Sequence, residues 1–367
     1  MVVELTLALL LFADASTVQL RKIEGDARVP SRLLSIGLPL IIAVGTVIAV
    51  LLFPAAGWAA AALIASILAP TDSALGLAIF TDRAVPVRIR RALNVESGLN
   101  DGIVTPFVAL FLTLVLSSEG ASGNWVLEAG KEIGLALVVA VAVGAVGGML
   151  LRIAHQRRFT SGLSEQLAIV SLALLAYLGS VAIGGNGFIA AFVGGLTFGA
   201  ATRGTMHEPT EFTETVGLFA SFFVWTVFGA LFVGPVLTTQ IDATAIIYAV
   251  LSLTIVRMVP VAISLLGVGF RRETLAFMGW FGPRGLASVV FTLVAIETLH
   301  HHAGTVSEVL IEVATWTILI SVFAHGFTAR PLARVYGQRV GDAGEIPELI
   351  DAPEPRIRRR HLGARAR

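Results

Sequence analysis

The chain has 367 residues, 56% apolar and only 14% charged, with a formal net charge of +1 and a mean hydropathy of +0.84. A water-soluble domain carries about 25% charged residues, so a compact soluble enzyme is disfavoured. The absence of Cys excludes disulfides, thiol catalysis and Cys-ligated metals.

Eleven apolar segments, labelled A to K, are long enough to be membrane spans: A, 2–18; B, 33–53; C, 56–80; D, 91–117; E, 132–153; F, 162–184; G, 187–201; H, 212–234; I, 243–268; J, 274–297; and K, 305–327. Segment A has no basic flank and no small-residue cleavage site, so it reads as a shortened span rather than a signal peptide. It carries Asp14 in its interior.

Segment C contains Leu68-Ala69-Pro70-Thr71-Asp72-Ser73. Proline lacks an N–H and clashes with the preceding turn, so a break is predicted there. Broken backbone within a membrane is tolerated only when buried in protein or lining a cavity. Segment D contains Asn94-Val95-Glu96-Ser97-Gly98-Leu99-Asn100-Asp101-Gly102. Ser97 and Asp101 share one helix face, and Glu96 and Asn100 share another. The first face offers the oxygens a hard cation wants. Glu96 suits a buried Arg. At about 1.5 Å per residue, Asp101 lies roughly 15 Å from the inner end of D, near the middle of a core about 30 Å thick.

Segments E to H are poor in such groups, and Gly194-Gly195 in G reads as close helix packing. Segment I carries Arg257, and J carries Gly282-Pro283-Arg284-Gly285, a second predicted break. His300, His301 and His302 form one tract beside a loop and read as solvated, not as metal ligands. The stretch 328–367 has Pro, Gly and six Arg after position 355, and is expected to be a disordered basic tail.

Basic residues cluster in alternate connections: A–B, C–D, E–F, G–H, I–J and the tail. The other connections hold only Lys131. By the positive-inside rule the chain starts outside and ends in the cytoplasm, as an odd number of spans requires. The expected location is the plasma or inner membrane. Segments B–D and I–K then run in opposite directions, each with an interrupted middle helix. This is the pattern of an inverted repeat with a site between two broken helices at mid-membrane. The expected fold is all-α, integral to the membrane.

A charge at mid-bilayer costs roughly 2.5–3.5 kcal/mol, so Asp14, Asp72, Glu96, Asp101, Arg257 and Arg284 each need a reason. Taken singly, a buried Asp is also an ordinary hydrogen-bond acceptor, and Thr71 or Ser97 an ordinary packing residue. Glu96 and Arg257 read as a structural pair, and Arg284 as balancing half-helix ends. In combination they point to a site that holds a proton or a cation. Burial raises the pKa of an Asp and a bound cation opposes protonation, which makes the two ligands compete. A channel or uniporter, a solute symporter and an inactive membrane fragment remain alternatives. No nucleophile–base set supports an enzyme, no cofactor is expected, and the tail Arg cluster alone does not support nucleic-acid binding.

At Phe12-Ala13-Asp14-Ala15, Ala69-Pro70-Thr71-Asp72, Glu96-Ser97-Gly98-Leu99-Asn100-Asp101-Gly102, Arg257 with Pro260, and Gly282-Pro283-Arg284-Gly285, the chain resembles the monovalent cation/proton antiporter family, in its NhaP-like sodium/proton branch. The resemblance runs from about residue 4 to about 335. It implies that Asp101 binds cation or proton and that Asp72, Ser97 and Thr71 help coordinate the ion. Asp14 stands where the family has an acidic ligand, usually Glu. Glu96 and Arg257 would pair, with Asn100 beside them. Asn100-Asp101, in place of two adjacent Asp, implies electroneutral exchange of one cation per proton. Sodium is the expected cation and potassium the alternative, with protons and the lipid bilayer as the other partners. A moving core of 33–117 and 243–327, a scaffold of 1–32 and 132–234, and a homodimer contact on the scaffold are further implications. The family usually has thirteen spans. Two N-terminal spans are expected to be missing here, by late start assignment or truncation, which keeps the inactive-fragment alternative open.

Overall fold

A computed structural model describes residues 1–17, 28–118, 125–238, 242–299, 304–341 and 346–350. These residues are helical or in short connections, with no strand among them. The histidine tract 300–302 lies outside them, as does 351–367 of the basic tail.

Helix α1 (Val2–Thr17) is buried along most of its length. Next come α2 (Arg28–Arg32) and α3 (Leu38–Leu52), joined by one wide turn, and then the interrupted pair α4 (Gly57–Ile67) and α5 (Leu77–Phe80). Helix α6 (Val87–Ser118) passes unbroken through the polar stretch 94–102 and through Pro106. Helices α7 (Trp125–Val141) and α8 (Gly147–Gln156), again joined by a wide turn, precede α9 (Gly162–Ala182) and α10 (Gly187–Thr202). Ser161 caps α9 in a reciprocal box with Ser164, and Asn186 caps α10 through the amides of Phe188 and Ile189. Helices α11 (His207–Phe228) and α12 (Gly234–Thr238) follow. The last group is α13 (Ala243–Leu253), α14 (Ile255–Ser264), α15 (Arg272–Trp280), α16 (Leu286–Leu299) and α17 (Gly304–Gly341).

Among the described residues, seven helices are long and apolar enough to cross a membrane, and α10, α16 and the stretch Pro54–Ile67 are shorter apolar helices. Breaks occur at both predicted places, 68–76 and 281–285. A third interruption, at Thr254, was not expected: it has no Pro or Gly to announce it, and its backbone simply leaves the helical region. The largest apolar core among the described residues joins α1, α3, α4, α6, α9, α10, α11, α13, α14, α16 and α17. Gly195 lets α1 approach α10, since a Cβ there would fall 2.3 Å from Phe12 O.

A correction concerns the end of the chain. The last span is expected to stop at 327, with a disordered tail beyond. Instead α17 continues to Gly341, because Ala329, Ala333, Tyr336 and Val340 form a buried stripe at helical spacing. Residues 346–350 then fold back. Glu348 is buried and accepts from Arg271 N (2.7 Å) and Thr274 Oγ1 (2.8 Å), and the Arg88 guanidinium donates to Pro347 O.

Candidate functional site

The site is built where the two breaks meet. Pro70 ends α4, and the carbonyls left beyond a helix end need donors. The second break supplies them. Ser288 Oγ donates to Ile67 O at 2.8 Å, and Arg284 Nη1 donates to Ala69 O at 2.5 Å and Pro70 O at 3.2 Å. The first break reciprocates through Asp72. Its backbone N donates to Pro283 O at 2.7 Å. Its Oδ2 accepts from Leu286 N, the first residue of α16, at 2.9 Å. Its Oδ1 accepts from Ala74 N (2.7 Å) and Leu75 N (3.1 Å). A carboxylate at a helix N-terminus is favoured by the amides and the dipole there. Only glycine fits at 285, because a Cβ would lie 2.0 Å from Asp72 Oδ2.

Beside this crossing, Glu96 of α6 and Arg257 of α14 form a buried two-pronged pair, with Nη1–Oε1 at 2.5 Å and Nη2–Oε2 at 2.8 Å. Gly282 presses on it, since a Cβ there would fall 2.5 Å from Arg257 Nε. Thr71 Oγ1 lies 2.9 Å from Ser97 Oγ and accepts from Asn100 Nδ2 at 2.7 Å. Among the described residues, Asn100 Oδ1, Arg257 Nε, and Arg284 Nε and Nη2 are buried without a hydrogen-bond partner.

A cavity of about 40 Å³ opens next to the crossing. Asp14 of α1, Asp72 of the first break and Asp101 of α6 line it, with Ser73, Ser221 and Trp225 adding polar atoms and Leu7, Leu10, Leu218 and Leu286 closing its apolar side. The volume suits a small ion with one or two waters. Among the described residues no three Asp, Glu or His converge closely enough to hold a metal by themselves. An ion here would take part of its shell from serine, backbone or water. A wider groove of about 430 Å³ between α3, α4 and α6 is lined by Ile42, Thr46, Trp58, Phe107 and Phe111 among others, with no ionisable group. It suits hydrocarbon, not an ion.

The cavity brings together three of the five residues expected to bind an ion. Thr71 and Ser97 do not line it; they and Asn100 form a buried polar chain joining the first break to α6. Asn100, one turn from Glu96 on α6, thus donates to Thr71. Arg284 contacts carbonyls of the first break, not the cavity. Sequence reasoning missed Ser73, Ser221, Trp225, Ser288 and Ser321. Ser221 and Trp225 stand one turn apart on α11, a polar–aromatic pair in an apolar helix, which is a weak signal.

Four carboxylates (Asp14, Asp72, Glu96, Asp101) face two guanidiniums (Arg257, Arg284) in this region. The four carboxylates outnumber the two guanidiniums by two. Like charges gathered at one place favour taking up a cation or a proton. The arrangement can thus hold one or the other.

The chain is similar to known proteins. A family model described as sodium/hydrogen exchanger, transmembrane, matches residues 1–335. A Na(+)/H(+) antiporter of Schizosaccharomyces pombe is 25% identical over 313 residues, covering 77% of this chain and 66% of that one. The K(+)/H(+) antiporter NhaP2 of Shewanella oneidensis is 24% identical over 284 residues, covering 76% and 47%. ApNhaP, a Na(+)/H(+) antiporter of Aphanothece halophytica, is 25% identical over 339 residues, covering 87% and 62%. The chain thus spans about half to two thirds of the length of these relatives. Among solved structures, the sodium proton antiporter MjNhaP1 of Methanocaldococcus jannaschii superposes with a TM-score of 0.72 at 21% identity, over 90% of this chain and 84% of that one.

Proposed function

The chain belongs to the sodium/hydrogen exchanger transmembrane family, and from that premise we propose that it exchanges a monovalent cation for protons by alternating access. The observation that carries the proposal is one cavity lined by Asp14, Asp72 and Asp101 at the meeting of two broken helices. Asp101 is the group that takes the ion or the proton. Both carboxylate oxygens of Asp72 accept backbone amides, at the first break and at the start of α16. Asp72 supplies charge and a fixed wall, and Asp14 a third carboxylate from α1. Thr71, Ser97 and Asn100 hold α6 against the first break, while Glu96–Arg257 and Arg284 keep the crossing together. If only a site loaded with proton or cation can cross between the two faces, exchange is obligatory. One cation per proton makes the exchange electroneutral.

Sodium is the cation we propose, in keeping with the relatives named as Na(+)/H(+) antiporters. Potassium is the second reading, favoured by the relatives named as K(+)/H(+) antiporters. Carboxylate and hydroxyl oxygens serve both ions. Residues 33–117 and 243–327 are proposed as the moving core, in an inverted repeat, and 1–32 and 132–234 as the scaffold and homodimer contact. The basic connections favour a cell membrane location with the N-terminus outside.

The test is proton movement in proteoliposomes on adding sodium, potassium or lithium. Cation-evoked proton flux in the wild type that vanishes in a folded Asp101→Asn variant supports the reading and ranks the cations. Cation flux without proton movement would instead indicate a uniporter.

A further inference from the structure

His325 of α17 is buried and belongs to no part of the exchange site described above. Its ring is held on both edges. Nδ1 lies 2.8 Å from Ser321 O and 3.1 Å from Ser321 Oγ, and Nε2 lies 2.8 Å from Trp280 O. Trp280 is the last residue of α15, so its carbonyl stands at a helix end beside the second break. A carbonyl oxygen accepts and cannot donate. The imidazole therefore satisfies both carbonyls only with a proton on each nitrogen, that is, as a cation. The neutral ring has one N–H and must give up one of the two, with the Ser321 hydroxyl placed to donate to Nδ1 instead. The Trp280 ring stacks on the imidazole at 5.2 Å and Phe281 meets it edge-on at 6.3 Å. The charges that face it are Arg284, from the second break, and Arg257, from α14, whose charge Glu96 matches.

Ser321 links the ring to the site. Its Oγ accepts from Arg284 N at 2.7 Å, and the neighbouring Pro283 O holds Asp72 N at 2.7 Å. A short chain of hydrogen bonds thus runs from His325 through the second break to the cavity wall. We propose that His325 is a positioning residue for the exchange reaction: its two protonation states set two geometries of the second break, and so the maximal rate, without touching the cation. This rests on the antiport reading above. Its signature is a pH dependence separate from competition, carried by the maximal rate at saturating cation and not by the apparent KM.

The first measurement is exchange in proteoliposomes at saturating sodium for wild type and His325→Gln, whose uncharged amide keeps one bond at a time. The wild-type maximal rate is expected to change roughly three- to tenfold between about pH 5 and pH 8. The variant should change less than about twofold there, with the pH dependence of apparent KM kept. Parallel maximal-rate profiles, including a uniform loss at every pH, overturn the proposal. The second measurement is ring nitrogen NMR on 15N-labelled chain with the other six histidines replaced, which needs neither transport nor the Gln variant. Two N–H groups on the acid side and one on the basic side support the proposal. A single protonation state throughout overturns it. Absence of cation-evoked flux in the wild type would refute the antiport reading alone, and the NMR result would still decide whether His325 switches.

Discussion

The two helix breaks are alike in chain pattern and opposite in charge. The first, at Pro70, carries Asp72 and packs beside α6 with Glu96 and Asp101. The second, at Pro283, carries Arg284 and lies beside Arg257 on α14. Each supplies what the other lacks. Arg284 and Ser288 satisfy the carbonyls left by the end of α4, and Asp72 satisfies the first amide of α16. The difference separates two jobs. The arginine side holds backbone and Glu96, while the acidic side lines the cavity with Asp14, Asp72 and Asp101. An ion site made from broken helices needs this asymmetry: with equal charges on both sides, nothing would remain for an ion to neutralise.

The sharpest way to break the comparison is to unpair the arginine side. Arg257→Ala leaves Glu96 buried without its partner, a change that costs about 3–5 kcal/mol. Thermal unfolding in detergent should show a large loss of stability, whereas replacing both Glu96 and Arg257 by apolar residues should cost much less. Next is Gly285→Ala, whose Cβ would fall 2.0 Å from Asp72 Oδ2. Displacing Asp72 should lower exchange by at least about tenfold, given that shifts near 1 Å from productive geometry cost about a hundredfold. The control is Gly98→Ala on α6, where a Cβ meets nothing within 4 Å and stability should rise by up to about 1 kcal/mol. The smallest effect on the crossing is expected from Ser288→Ala. Losing its bond to Ile67 O should cost about 1 kcal/mol in unfolding experiments and leave the apparent cation KM within about threefold.

Much of this was legible in the sequence. Both breaks carry Pro, which announces itself by its missing donor, and the buried charges stand out against apolar spans. The Glu96–Arg257 pairing followed from the fit of a planar carboxylate to a buried guanidinium and from the family resemblance. Three features were not legible, for different reasons. The interruption at Thr254 has no local signature and comes from how α13 and α14 pack. Thr71 and Ser97 supply oxygens that a cation could use, but their mutual contact spans 26 residues and depends on the crossing angle, which no local pattern encodes. The extension of α17 was concealed by Pro331 and the arginines around it, although the stripe of Ala329, Ala333, Tyr336 and Val340 was present. His325 looked like an isolated residue, because both its partners are backbone atoms or a serine that the sequence cannot place.

The central claim is that a proton and a cation compete for the same carboxylates. It is tested most directly by the apparent cation KM of exchange, measured in proteoliposomes as pH is lowered at constant ionic strength. The account predicts a KM that rises as pH falls, approaching about tenfold per pH unit once the site is mostly protonated. A KM that stays flat across that range while the rate changes would contradict competition, and would place the proton and the cation at separate sites.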